Sequence, residues 1–250
     1  MASEGYRERL FERYLSAFYG HLRNDLSAAG LERGARRYTV EFGAHLPADR
    51  DAPILEIGCG SGGFLRGCRA LGYTRVRGVD VSPEQVRFCN DNGLPEVECA
   101  DGLGYLRARP ERWAVVAMSD VLEHLPKREA VALLAVIRDR LRDGGRLLIR
   151  VPNLSNPLNL RTRYVDLTHE TGFTAGSLVR LLAATGFEVE TVHGSRDRHR
   201  SVFARWLFDR LLWRAFLVLR REVLWLDDPA LPGKNLIAVG RRAAAAEAAA

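Results

Sequence analysis

From Ala52 onward, short apolar runs alternate with stretches whose apolar residues recur at helical spacing. The runs predict strands at 53–57, 75–80, 96–99, 113–118, 146–151, 187–193 and 234–240, and the stretches predict helices near 62–71, 83–92, 102–108, 128–142 and 175–185. Strands and helices taking turns along a chain build an open sheet with crossover helices on both faces, an α/β doubly wound domain. The glycines of Leu141-Arg142-Asp143-Gly144-Gly145 mark the reversal from the fourth of these helices into the fifth strand.

Two regions stand outside this alternation. Between Tyr6 and about Leu31 the apolar positions Leu10, Phe11, Tyr14, Leu15, Phe18 and Leu22 predict one amphipathic helix, followed by a short helix from Arg36 to His45. The last two strands lie some forty residues apart, longer than a connection needs, so 194–233 is an insertion. Wound as a helix, it places Leu207, Phe208, Leu211, Leu212, Ala215, Val218 and Leu219 on one side, with Arg205, Arg210, Arg214 and Arg221 largely opposite and Trp206, Trp213 and Phe216 between. Such a helix packs on the domain or a second subunit, or it meets a membrane surface or lipid-linked acceptor through 202–226. The expected organisation is a helical region at 1–50, a central domain formed by 51–193 and 234–242, the insertion, and a low-complexity disordered tail at 243–250.

Composition narrows this little. The 250 residues are 47% hydrophobic and 27% charged, ordinary for a globular chain. The start lacks the apolar core of a signal peptide and no window is apolar enough to span a bilayer, so a cytoplasmic protein is expected, with peripheral contact at the inner membrane face left open. Cys59, Cys68, Cys89 and Cys99 show neither CxxC pairing nor zinc-ligand spacing and are expected as free thiols. The formal charge of +6 permits an anionic partner without selecting one.

Chemistry begins at Ile54-Leu55-Glu56-Ile57-Gly58-Cys59-Gly60-Ser61-Gly62, an apolar strand running into a glycine-dense turn whose bare backbone admits a bulky ligand. Asp80 ends the second strand about twenty residues on, where a carboxylate can accept both hydroxyls of a ribose. Asp101 and Gly102 follow the third strand, and Asp101 there can also cap the next helix. In this order E-I-G-C-G-S-G, D-V-S-P and A-D-G resemble the motifs of class I S-adenosylmethionine-dependent methyltransferases. The resemblance implies a Rossmann-like seven-stranded sheet with an antiparallel last strand and S-adenosylmethionine as cofactor. It assigns Glu56, Gly58, Cys59 and Gly60 to the cofactor's amino-acid portion, Asp80 with Val81 to the ribose, Asp101 and Gly102 to adenine, and Ser119 to the cofactor side of the fourth strand's turn.

That turn, Ser119-Asp120-Val121-Leu122-Glu123-His124-Leu125, resembles the form in small-molecule and glycan O-methyltransferases, and implies oxygen as the acceptor atom. Arg163-Tyr164-Val165-Asp166-Leu167-Thr168-His169 resembles the acceptor loop of methyltransferases associated with bacterial surface polysaccharides and glycolipids. A sugar hydroxyl needs a base, and the candidates are His169 and His124, with Asp120 and Asp166 beside them; Arg163, Tyr164 and Asp166 are expected to bind the acceptor. Asp120, Glu123 and His124 are also similar to the E-x-x-E-H metal site of ubiquinone-pathway O-methyltransferases. Asp in the first place shortens one ligand arm and no further ligand is visible, so no metal is expected. A lipophilic phenol or natural-product scaffold is the alternative acceptor; RNA methylation and a non-catalytic cofactor-binding partner are weaker readings, and a homo-oligomer is left open.

Overall fold

In the computed structural model, which describes residues 5–16, 25–156, 159, 161–195, 211–222, 231 and 233–243, all seven predicted strands form. They are β1 (Ile54–Ile57), β2 (Val76–Asp80), β3 (Val97–Cys99), β4 (Trp113–Ser119), β5 (Leu141–Pro152), β6 (Phe187–Gly194) and β7 (Asn235–Arg242). They make one sheet in the order β3-β2-β1-β4-β5-β7-β6. Only β7 runs against its neighbours. β5 starts earlier than expected because Leu141 already pairs with Trp113, and Asp143-Gly144-Gly145 is absorbed as a bulge before Arg146 pairs with Val115.

Alternate residues of the central strands feed two cores, as the period of a strand requires. Leu55, Val116, Met118, Leu147 and Ile149 face α5 (Gly102–Ala108), α6 (Lys127–Arg140) and α8 (Ala175–Ala184), where they meet Leu106, Leu134 and Leu178. Ile54, Val115, Ala117 and Leu148 face the other way, onto Phe42, Phe64 and Leu65. The strand order reverses between β1 and β4, and ligands of open α/β sheets bind outside the carboxyl ends at that switch point.

The N-terminal reading is corrected. α1 covers Gly5–Glu12, Asp25 to Ser27 are not helical, and α2 runs from Ala28 to Phe42 as a single helix. Ser27 caps α2 by accepting from the Gly30 amide at 3.2 Å, and a following one-turn helix, Gly43–His45, closes the region. The insertion is corrected too where it is described. In α9 (Trp213–Glu222) Trp213 is buried beside Phe216 at 5.1 Å between ring centroids, while Leu211, Leu212, Val218 and Leu219 of the expected inner face are exposed. A large ring offers more apolar area to bury than a leucine does. The rest of 202–226, including Arg205, Trp206, Leu207, Phe208 and Arg210, lies outside the described residues, as does the tail from 244. Among the described residues no helix is long and apolar enough to cross a membrane.

Candidate active site

β1 ends at Ile57 and the chain passes through Gly58 (φ +66°) and Gly60 (φ +54°) into α3 (Gly63–Ala70). These left-handed angles suit glycine, and a Cβ on Gly58 would stand 2.4 Å from Val121 Cγ2. The turn is tied to the next strand by Asp80, whose Oδ2 accepts from the Gly60 amide at 2.8 Å and whose Oδ1 accepts from the Ser82 amide at 2.9 Å. Each oxygen retains a lone pair for a further donor. Burial raises the Asp80 carboxyl, against the pull of these amides. Glu56 lies fully buried behind the turn, where burial pushes its carboxyl well up and the Leu65 amide pulls the other way. It does not line the cleft, and one of its oxygens has no hydrogen-bond partner.

The cleft in front of the turn measures about 1840 Å³, above the roughly 300–1,000 Å³ of ordinary ligand pockets, and so has room for a nucleoside cofactor and an acceptor together. Gly58, Cys59, Gly60, Asp80, Val81, Asp101, Gly102 and Ser119 all border it. Asp101 also caps α5, with Oδ1 accepting from the Gly104 amide at 2.8 Å. The cap uses one oxygen, and a carboxylate keeps a second for another donor. Ser119 Oγ is buried without a partner.

Asp120 is the one non-glycine residue with positive φ among those described, at +57°. Its amide donates to the Arg150 carbonyl at 2.9 Å, and Arg150 grips both carboxylate oxygens, Nε reaching Oδ1 at 3.1 Å. The same guanidinium donates to Glu41 at 3.2 Å and to Tyr38 at 2.9 Å. Burial alone would raise the Asp120 carboxyl, but Arg150 outweighs it and holds it below its ordinary value. A carboxylate so held is a poor base; Asp120, expected beside the catalytic histidines, borders the cleft and is held by Arg150 in the turn.

Beyond Asp120, the one-turn helix Leu122–His124 and the loop at 166–171 bring Glu123, His124 and His169 together, with ligand-type atoms all within 4.8 Å of one another. His124 Nδ1 lies 2.7 Å from Thr168 Oγ1, whose hydroxyl donates to Asp166 at 2.6 Å. The ring is therefore the donor to Thr168, and Nε2 carries the lone pair. His169 Nδ1 faces the Thr162 carbonyl at 2.8 Å, which fixes the same tautomer. Burial, with His169 alongside, pulls His124 down to about 4. Glu123 is 2% exposed, neither carboxyl oxygen has a partner, and burial pushes its carboxyl well up. Asp166 also accepts from Tyr14 at 2.6 Å, and the hydrogen bonds from Thr168 and Tyr14 overcome its burial to keep it below the usual carboxylate range.

Two expected acceptor ligands are corrected. Arg163 donates to the carbonyls of His169 and Glu170, clamping the loop from behind, and Tyr164 is 80% exposed; neither borders the cleft. Nor does Arg163 pair with Asp166, whose partners are Thr168 and Tyr14. Sequence reading passed over Tyr14, Tyr38, Arg150 and Thr168. Of these only Thr168 carried a signal, as the neighbour of His169 in the loop pattern.

A glycine turn, an acid on β2 and an acid after β3, converging on the switch-point cleft of a doubly wound sheet, define an α/β protein of the nucleoside-cofactor-binding class. Residues 11–192 match the family described as Methyltransferase domain. The chain belongs to this methyltransferase family. It is similar to O-methyltransferase cnsE of Penicillium expansum, 26% identical over 174 residues that cover 66% of this chain and 62% of that protein. The chain spans less than two thirds of the length of the curated relatives it matches. Its fold is shared with a SAM-dependent methyltransferase of Archaeoglobus fulgidus, TM-score 0.67 and 21% identity over 92% of this chain and 100% of that one. It is shared as well with the magnesium protoporphyrin IX methyltransferase of Synechocystis bound to SAH, TM-score 0.60 and 13% identity over 95% and 100%.

Proposed function

We propose that the chain methylates a hydroxyl oxygen of a saccharide, free or lipid-linked. S-adenosylmethionine, when bound, supplies a methyl group activated by its sulfonium. The ionised Asp80 accepts from the ribose hydroxyls with Val81 beside it, Asp101 and Gly102 hold the adenine, and Gly58, Cys59 and Gly60 expose their backbone to the methionyl part. Glu56 braces the turn from behind, and Ser119 offers its unpartnered hydroxyl at the junction of cofactor and acceptor spaces.

The observation that carries the oxygen assignment is the histidine pair. Transfer in line with the breaking S–CH3 bond needs a positioned lone pair, and an alcohol gains a competent one only as its proton leaves. His124 and His169 border the cleft with Nδ1 bonded to the protein and Nε2 left as an acceptor. This is where the hydroxyl loses its proton, with Asp166 and Thr168 holding the His124 ring. The expected result for His169→Ala is a loss of turnover of roughly 10²- to 10⁴-fold with cofactor affinity retained in calorimetry; lost cofactor binding with turnover per bound cofactor intact would refute the assignment. Mass spectrometry of acceptors methylated in extract of the native host identifies the sugar.

A second reading rests on Phe11 and Tyr14, whose rings meet His124 edge-on at 5.8 and 6.3 Å between centroids. These flat faces suit a lipophilic phenol or natural-product acceptor. Acceptor profiling separates the two, because a phenol is acidic enough to depend little on the histidines.

A further inference from the structure

We infer that Glu123, His124 and His169 form a binding site for a divalent transition-metal cation, zinc or a cation of similar preference, at the acceptor end of the cleft. The inference deepens the proposed function by naming what removes the hydroxyl proton, and it rests on that reading only for the identity of the acceptor.

Three observations converge. The first is the donor set: two imidazoles and one carboxylate whose ligand atoms lie within 4.8 Å of one another. Three protein ligands of this kind, with one position left for water or substrate, make a catalytic rather than a structural zinc site. Donors about 2.1 Å from a tetrahedral cation stand about 3.4 Å apart, so the side chains need to close by roughly an ångström.

The second is the state of each donor. Both rings spend Nδ1 on the protein, His124 on Thr168 and His169 on the Thr162 carbonyl, which leaves Nε2 to each. Metal-bound histidines carry such an outer partner as a rule, because it fixes the ring and raises its basicity. For His124 the support continues from Thr168 to Asp166 and on to Tyr14.

The third is Glu123. A carboxyl with both oxygens shut from solvent and unbonded is costly to fold around, and a cation shared with the two rings would remove that cost. Asp120, the acid that the E-x-x-E-H comparison would recruit, is taken by Arg150. The third ligand is instead His169, delivered by the acceptor loop. All three residues border the cleft, the space in which the proposed acceptor would meet the cation. With a cation bound, the rings are ligands in place of the proton-accepting role given them above: a hydroxyl in the open position would be acidified by the cation and would release its proton to solvent.

The test uses the untagged full-length chain, stripped with chelator and checked for native circular dichroism. Zn²⁺ is titrated calorimetrically, and Co²⁺ is added separately to record its visible ligand-field bands. The expected result is one Zn²⁺ per chain, with affinity lowered at least tenfold by Glu123→Gln and by His169→Ala, and about tenfold by Thr168→Val through the outer partner. The Co²⁺ bands should weaken in the same variants. Wild-type protein that binds no cation while folded, or binding unchanged in both ligand variants, overturns the site. Undiminished methylation of a hydroxyl acceptor by chelator-stripped enzyme likewise overturns its catalytic use and leaves the O-methyl reading standing. Stoichiometric, ligand-dependent binding without methylation of any hydroxyl acceptor supports the site and sinks the acceptor assignment.

Discussion

In the role proposed for it, Asp80 works only while ionised, because the protonated acid loses acceptor capacity toward the ribose. Burial raises its carboxyl, so the proton returns at a higher pH than for an exposed aspartate. The affinity of S-adenosylmethionine should therefore be full near neutrality and fall as pH drops through this elevated range. Asp80→Asn should bind roughly 10- to 100-fold more weakly, the loss of about 1.5–3 kcal/mol for hydrogen bonds to a charge, with that pH response gone. Calorimetric dissociation constants across pH 4–8 for both proteins check it; a wild-type affinity flat over the range would refute the role. Asp80 and the glycines could be read from sequence because their job is local: a turn needing left-handed angles and an acid one strand away. The link from Tyr14 to Asp166 could not, since it joins positions 152 apart through a hydroxyl that any tyrosine carries. Arg163 misled because its composition suited a ligand, while its direction was decided by the nearby carbonyls of its own loop.

At the level of elements, α2 belongs to the site. It carries Tyr38 and Glu41 to Arg150, which holds the turn containing Asp120. Its start depends on Ser27, and Ser27→Ala should cost about 1 kcal/mol, seen as a lower denaturant midpoint with unchanged slope. A shift below a few tenths of that would mean the cap is redundant. The strands were legible because each is a short apolar run bounded by turn residues. The helix boundaries near the N-terminus were not, because apolar spacing carried on past Asp25 and Ser27 and hid a stop and a cap. α9 was misjudged for a related reason: counting leucines chose the wrong face, while bulk placed Trp213 inward.

Taken whole, the chain is basic and its cleft is not. Nine acidic residues and six arginines border the cleft, against a formal charge of +6 for all 250 residues. The surplus of positive charge therefore comes from residues that do not line the cleft, which speaks against an RNA strand in the cleft, since a polyanion is bound by contiguous positive charge. That contrast bears on the catalytic cycle. In the proposed reaction the methyl donor arrives carrying a cationic sulfur and departs as a neutral thioether, so an acid-rimmed cavity would attract the fresh molecule by a force the spent one no longer feels. Dissolved ions screen such a force, and added sodium chloride should accordingly loosen the donor more than the demethylated product, a difference that parallel titrations of the two would reveal.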